Sequence, residues 1–327
     1  MIERVPFGRT DFTVPAFGFG AAGLPADDDA SAFKVMAHAV EKGINFFDTA
    51  DLYGIGLNES QIGRFLKTMP AGSVIIGTKY GSMPKGENGL PGVNNKPEHI
   101  QAACEASLKR LGVDVIDVYY MHRRDPDVPV EESVGAMARL IEQGKVRALG
   151  LSEVSAATLR AAYAVHPIAA VESEYSLWWR GVEDEVLPAC RELGVTMVPF
   201  SPLGRSFLTG KLSGSSTGSD LRSTLPRFQA DALAKNQLLV DQLALFAQGK
   251  GFTTAQVALA WLLGQNDATT SVVPIPGTKR TEYLDQNLGA LEVKLTPDEL
   301  DELATIFAPE AIVGDRYSEV EAARAGL

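Results

Sequence analysis

INFFDTADLY (44–53) opens on Ile44, Phe46 and Phe47, an apolar run short enough for a buried strand, and breaks into polar side chains at Asp48. Asp48 and Tyr53 then lie five residues apart on one turn. A phenol has an ordinary pKa of about 10 and is a poor acid at neutral pH. A neighbouring cation lowers that pKa, and the cation in turn needs a carboxylate to hold it. The stretch therefore asks for a lysine and a polarising donor from elsewhere in the chain. Lys79, in VIIGTK (74–79), and His122, in VIDVYYMH (115–122), are the candidates, because each closes an apolar, strand-like run as Asp48 does.

Outward from this stretch the chain alternates between strand-like and helix-like runs. Residues 1–13, with turns at Pro6, Gly8 and Thr10-Asp11, read as a hairpin ahead of a first strand at 14–20. A helix at 31–42 stops at Gly43, and the strand 44–47 follows. Then come a helix at 59–67, a strand at 73–77 and a polar, Gly-rich loop, GSMPKGENGLPGVNN (81–95), long enough to be functional. Pro97 opens a helix that Gly112 ends. The pattern goes on through strands at 115–120, 146–150, 168–171 and 195–199, with helices at 131–143, 156–165 and 182–193. A second Gly- and Ser-rich loop, from 201 to about 230, leads to helices at 232–248 and 253–263 and a last strand at 271–275. Helical tail segments start near Pro297 and Glu319. Eight such steps predict an α/β fold, a (β/α)8 TIM barrel with an N-terminal hairpin and a C-terminal helical tail, in one domain over residues 1–327. In such barrels chemistry sits at the C-terminal ends of the strands, where Asp48, Lys79 and His122 fall.

Composition narrows the partners. The chain is 45% hydrophobic with a net charge of −11 and no dense Lys/Arg run, which argues against nucleic acid and anionic membranes. Cys104 and Cys190 sit inside helical patterns without metal-ligand spacing, so they read as reduced thiols, and no metal site is expected. MIERVPFGRT lacks an apolar signal region, and no run reaches transmembrane length. The expected setting is soluble and cytoplasmic.

GFGAAG (18–23) matches the dinucleotide pattern G-x-G-x-x-G after a strand. That motif needs its helix to start within the glycines, so that the helix N-terminus faces pyrophosphate. Here Leu24-Pro25-Ala26 and three aspartates (Asp27, Asp28, Asp29) intervene, and three carboxylates would repel phosphate. The motif is therefore set aside.

FFDTADLYG (46–54), IIGTKYG (75–81), LGVDVIDVYYMH (111–122), GKVRALGLSE (144–153) and VVPIPGTKR (272–280) together resemble the aldo-keto reductase family, nearly end to end. The likeness is strongest to its pyridoxal-reductase-like and auxin-induced-like branch. It implies NADPH-dependent reduction of an aldehyde or ketone. It implies Tyr53 as general acid, Lys79 lowering the Tyr53 pKa, Asp48 pairing with Lys79, and His122 orienting the carbonyl. For the cofactor it implies Gly20 and Ala21 near nicotinamide, Phe200 stacked on the ring, and Ser152, Glu153 and Glu172 beside the carboxamide. The last two depart from the family's usual amides: a carboxylate can accept from the carboxamide amine but cannot donate to its oxygen. One or both are expected to favour the cationic, oxidised ring. Ser201, Leu203, Gly204 and Lys211 fit the loop over pyrophosphate. Gly277, Thr278, Lys279 and Arg280 fit the 2′-phosphate and adenosine site, and Gln286 and Asn287 the adenine contacts. Tyr80, Trp178, Trp179 and Arg123 are the expected substrate-facing residues, although Arg123 and Arg124 could instead pair with Asp125 and Asp127. Two alternatives keep the same site: an NAD(P)-dependent aldose dehydrogenase, and a redox-sensing regulatory subunit. The partner is a small carbonyl compound, and the oligomeric state is left open.

Overall fold

In the computed structural model, which describes residues 2–85, 91–212, 221–318 and 322, the chain opens with an antiparallel hairpin, β1 (Arg4–Pro6) against β2 (Thr13–Pro15). Alternation follows: β3 (Phe19–Gly20), α1 (Asp29–Glu41), β4 (Phe46–Asp48), α2 (Leu57–Leu66) and β5 (Ile75–Tyr80). The Gly-rich loop holds a second hairpin, β6 (Ser82–Lys85) with β7 (Pro91–Val93), before α3 (Pro97–Leu111). Next come β8 (Ile116–Met121), α4 (Val130–Glu142), β9 (Val146–Ser152), α5 (Ala156–Val165), β10 (Ala170–Glu174), α6 (Val186–Leu193) and β11 (Thr196–Phe200). The chain then runs through α7 (Ala230–Lys250), α8 (Thr254–Leu263), α9 (Thr281–Leu288) and α10 (Pro297–Ile306).

Seven parallel strands pair in the order β3, β4, β5, β8, β9, β10, β11. Residues 271–275, expected as the eighth strand, close the ring without forming a regular strand. Met197 N–H donates to Ser271, Val273 to Met197, Ile275 to Pro199, and on the far side Gly18 donates to the Pro274 carbonyl at 2.9 Å. Pro274 and Pro276 have no N–H to give, which breaks the ladder. The result is a near-closed barrel with helices around it.

Side-chain parity splits the core in two. Inward residues Phe46, Ile75, Val118, Tyr120, Ala148, Ala170 and Val198 fill the lumen together with Phe7 and Val14 of the first hairpin, which plug one end. Their outward neighbours Phe47, Ile76, Tyr119, Met121, Leu149 and Val171 pack under the helices. Tyr120 occupies the space that Gly150 leaves: a Cβ on Gly150 would stand 2.2 Å from Tyr120 Cδ1.

Several boundaries differ from expectation. The hairpin takes Val14 and Pro15 from the expected first strand, leaving only Phe19–Gly20 in the barrel. β5, β9 and β10 run two or three residues further, into Lys79, Ser152 and Glu174, because the barrel mouth gives those polar groups partners. The helix expected at 182–193 breaks into a 3-10 turn (Gly181–Glu183) and α6, since Pro188 fits only within a first helical turn. After GFGAAG, α1 starts at Asp29 with Asp28 as its N-cap, so no helix N-terminus faces those glycines. The tail segment from Glu319 lies outside the described residues, apart from residue 322. Among the described residues no helix is long and apolar enough to cross a membrane.

Candidate active site

The strand parity that fills the lumen also brings polar residues to one end of it. Asp48 ends β4, Lys79 lies next to last in β5, His122 follows β8, Ser152 ends β9 and Glu172 stands in β10, all in phase with the inward-facing residues below them. Glu172 pairs in register with Ser152 on one side and Val198 on the other. The turn after β4 carries Tyr53 back over the same opening.

Two carboxyls flank one ammonium. Lys79 Nζ donates to Asp48 Oδ1 at 2.5 Å and to the Thr49 carbonyl at 2.9 Å, and lies 3.3 Å from Glu172 Oε1. Lys79 is 0% exposed, Asp48 and Glu172 2% each. Burial alone would favour the neutral amine, but Asp48 and then Glu172 outweigh it and hold the Lys79 pKa above its ordinary value. Burial raises Asp48 against the pull of Lys79. Glu172 is pushed up to about 8, by burial and then by the Asp48 charge. Asp48 Oδ2 and Glu172 Oε2 are both buried without a hydrogen-bond partner among the described residues. A proton on one of the two would let it donate, since carboxylates only accept.

Tyr53 is half-buried, its ring edge-on to His122 with centroids 5.9 Å apart, and Lys79 Nζ lies 5.2 Å from its centroid. The phenol is pushed up to about 12: burial dominates, Asp48 and Glu172 add to it, and Lys79 only partly opposes them. The expectation of a lowered pKa thus does not hold for the protein alone, because one ammonium cannot offset both burial and two carboxyls. His122 is held well below its ordinary pKa by burial and then by Arg123 and Lys79. It is a neutral imidazole at physiological pH and still has one N–H to donate.

These groups line a cavity of about 580 Å³, within the usual size of a small-molecule site. Asp48, Tyr53, His122, Ser152, Glu172 and Phe200 form its wall, with Lys79 buried just behind. Gly20, Arg123, Ser201, Leu203 and Gly277 also reach it. Arg123 donates to the His122 carbonyl at 2.7 Å and to Ser152 Oγ at 3.1 Å, rather than to Asp125 or Asp127.

Six expected residues lie elsewhere. Ala21 is fully buried, its N–H bound to the Asp48 carbonyl and its own carbonyl to Asn58, so Ala22 and Gly23 reach the cavity instead. Tyr80, one residue past inward-facing Lys79, faces outward and stacks on Tyr119 at 5.0 Å. Glu153, one past Ser152, is likewise turned away: it pairs with Arg316 and accepts from Glu174 N–H, so its charge is already matched. Trp178 is 1% exposed and stacks on Phe207 at 3.8 Å, a core residue, and Trp179 lies between Arg227 and Arg316. Gly204, at φ 55°, sits behind the wall, where a Cβ would come 2.9 Å from Trp178.

Beyond the cavity, Ser201, Gly204, Arg205 and Ser206 all have positive φ, and Gly204 N–H donates to the Ser201 carbonyl at 2.8 Å, so the chain turns tightly there. Lys211 and Arg280 both lie against one ring, Tyr283, at 5.1 and 5.5 Å from its centroid. Thr278 Oγ1 accepts from Arg280 N–H at the start of α9, and Gln286 and Asn287 follow on that helix. Sequence reasoning missed Tyr283, Arg205 and Tyr317, the last two of which reach the cavity. Arg205 is paired with Glu174 at 3.0 Å, and Arg316 packs on Tyr317 at 4.2 Å. An arginine in the SPLGR loop was the available signal for Arg205; nothing local marks Tyr317.

Residues 16–307 match the model of the aldo/keto reductase family. A soybean (Glycine max) protein named "Probable aldo-keto reductase 1" is 44% identical over 323 residues, which span 97% of this chain and 92% of that one. Among solved structures, a glycerol dehydrogenase from Gluconobacter oxydans matches with a TM-score of 0.84 at 26% identity, covering 97% of this chain and 98% of its own. The holo form of an aldo-keto reductase from Bacillus halodurans matches with a TM-score of 0.78 at 26% identity, covering 98% and 99%.

Proposed function

The chain belongs to the aldo/keto reductase family, and on that premise we propose that it is a single-domain, cytoplasmic enzyme that reduces aldehydes and ketones to alcohols with NADPH. The observation that carries this reading is the Lys79-centred cluster beside Tyr53 and a neutral His122 in one cavity wall. The residues present also fit a nicotinamide dinucleotide. Half-buried Phe200 offers a ring face, the turn at 201–206 offers N–H groups to a pyrophosphate, and Lys279 with Arg280 offers cations to a 2′-phosphate at a helix start.

A bound reduced nicotinamide supplies the hydride. Tyr53, held protonated by its raised pKa, gives its proton to the carbonyl oxygen as negative charge builds there. Neutral His122 donates an N–H to the same oxygen and fixes its position. Lys79 stabilises the phenolate that Tyr53 leaves, and Asp48 and the Thr49 carbonyl hold the ammonium in place. Donors fixed in a buried site stabilise the transition state more than the neutral substrate, and that difference is catalysis.

Turnover of 4-nitrobenzaldehyde with NADPH tests the reading. Tyr53→Phe should lower kcat by about 100- to 10,000-fold while NADPH still binds. A native protein that binds the cofactor and turns nothing over would favour the redox-sensing alternative. The likeness to the pyridoxal-reductase-like and auxin-induced-like branch puts pyridoxal and aromatic aldehydes first in a substrate panel. The match to a glycerol dehydrogenase supports a second reading, oxidation of polyols or aldoses at the same site, so the panel is run in both directions.

A further inference from the structure

Glu172 stands in the cavity wall, yet the proposed chemistry does not use it. Its carboxyl is 2% exposed and 3.3 Å from Lys79 Nζ. The groups that face it are Asp48 from β4, Lys79 from β5, Tyr120 from β8, and Tyr53 from the turn after β4. His122 and Arg123, after β8, line the same cavity. Just after β9, Glu153 gives only its backbone N–H, to the Glu172 carbonyl at 3.0 Å, while its carboxylate pairs with Arg316. One ammonium therefore serves two carboxyls, and Asp48 Oδ2 and Glu172 Oε2 are left without a conventional donor. A shared proton between them resolves both facts.

We propose that Asp48 and Glu172 together hold one exchangeable proton whose release is coupled to the charge of the nicotinamide ring, so that the oxidised ring favours the fully ionised pair and the reduced ring the protonated pair. This rests on the reading above that the cavity takes a nicotinamide dinucleotide. The ring is neutral when reduced and cationic when oxidised. A cation entering a buried wall stabilises a carboxylate there more than a carboxylic acid. Coupling of this kind is reciprocal: whatever factor the oxidised ring takes off the pair's proton affinity, loss of the proton adds to the affinity for that ring. Ionisation breaks one carboxyl O–H bond, and the proton passes to water. Glu172, pushed up to about 8, sets the change close to physiological pH. Alkaline conditions would then hold the oxidised form more tightly relative to the reduced form. An amide at 172 keeps the shape and removes the titrating proton.

The experiment is binding of NADPH and NADP+ to the full chain, by tryptophan fluorescence and by calorimetry, between about pH 6.5 and 9.5. The 2′-phosphate titrates in both forms and cancels in their ratio. In the native protein the preference for the oxidised form should rise about tenfold for each pKa unit by which the ring shifts the pair. In Glu172→Gln the preference should stay flat. Calorimetry at pH 8 in two buffers of different ionisation enthalpy should show protons released with NADP+ and not with NADPH, and this readout needs no variant. A flat native ratio without proton release overturns the inference and leaves the proposed function standing. A slope that survives Glu172→Gln also overturns it, by locating the proton elsewhere. If neither form of the cofactor binds, the reading of the cavity itself fails.

Discussion

Replacing Lys79 by Met takes the one ammonium from between two buried carboxyls, 2.5 Å from Asp48 and 3.3 Å from Glu172. At an effective dielectric constant near 20, a pair at such a distance attracts by about 5 kcal/mol before desolvation. Removing one partner of a buried pair costs a net 3–5 kcal/mol or so, because a charge is left behind without its match. Here that charge has a way out, since Asp48 and Glu172 can protonate. A carboxyl whose folded pKa is raised contributes stability that is fully present below its unfolded pKa and is lost as pH rises through the folded value. Both carboxyls are already raised with Lys79 present, Glu172 to about 8, and without Lys79 both rise further. Lys79 itself has a pKa raised above 10.5, so its own titration does not enter between pH 5 and 8.5. The expected deficit of Lys79→Met is therefore about 3–5 kcal/mol at pH 8.5 and roughly half that at pH 5. Urea unfolding of both proteins at the two pH values, followed by circular dichroism, measures it. Equal deficits at both pH values, or a deficit under about 1 kcal/mol at pH 8.5, would refute the two-carboxyl account.

Gly150→Ala places a Cβ 2.2 Å from the Tyr120 ring, which is itself enclosed in the lumen, and should cost about 1–3 kcal/mol in urea unfolding; an unchanged midpoint counts against the packing. Ile55 is 75% exposed, and its φ of 54° is rare for a β-branched residue. Ile55→Asn should therefore raise Tm by relieving roughly 1 kcal/mol of strain, and a lower Tm would contradict this. Asp51 is pushed up to about 7 by burial and the nearby Glu59 charge, so the native protein loses stability as pH rises from about 4 to 7. Asp51→Asn should recover about 1–2 kcal/mol at pH 8, the side chain being partly open to solvent, and little at pH 4; an equal gain at both pH values rules the cause out. Lys279→Ala should raise KM for NADPH by about tenfold and leave KM for NADH nearly unchanged; equal effects on the two would remove Lys279 from the phosphate site.

Two of the misplaced residues were open to correction from the sequence. If Lys79 faces the lumen, Tyr80 must face the helices, and if Ser152 faces it, Glu153 cannot, because strand side chains alternate. The prolines at 274 and 276 likewise announce a last strand that cannot complete its ladder. Other contacts carry no local signal. Arg316 meets Glu153, and Lys211 and Arg280 meet at Tyr283, only because loops far apart in the chain converge over the barrel mouth.

By itself the sequence determined the alternation of strands and helices, the closed arrangement it implies, and the placing of Asp48, Lys79 and His122 at strand ends. Those follow from periodicity, which is a local property of the chain. Only the tertiary structure decided the charge environment: Tyr53 pushed up to about 12 instead of lowered, Glu172 pushed up to about 8 beside Asp48, and Glu153 paired with Arg316. A pKa answers to burial and to distances of a few ångströms between residues from different strands, and spacing along the chain does not encode those distances.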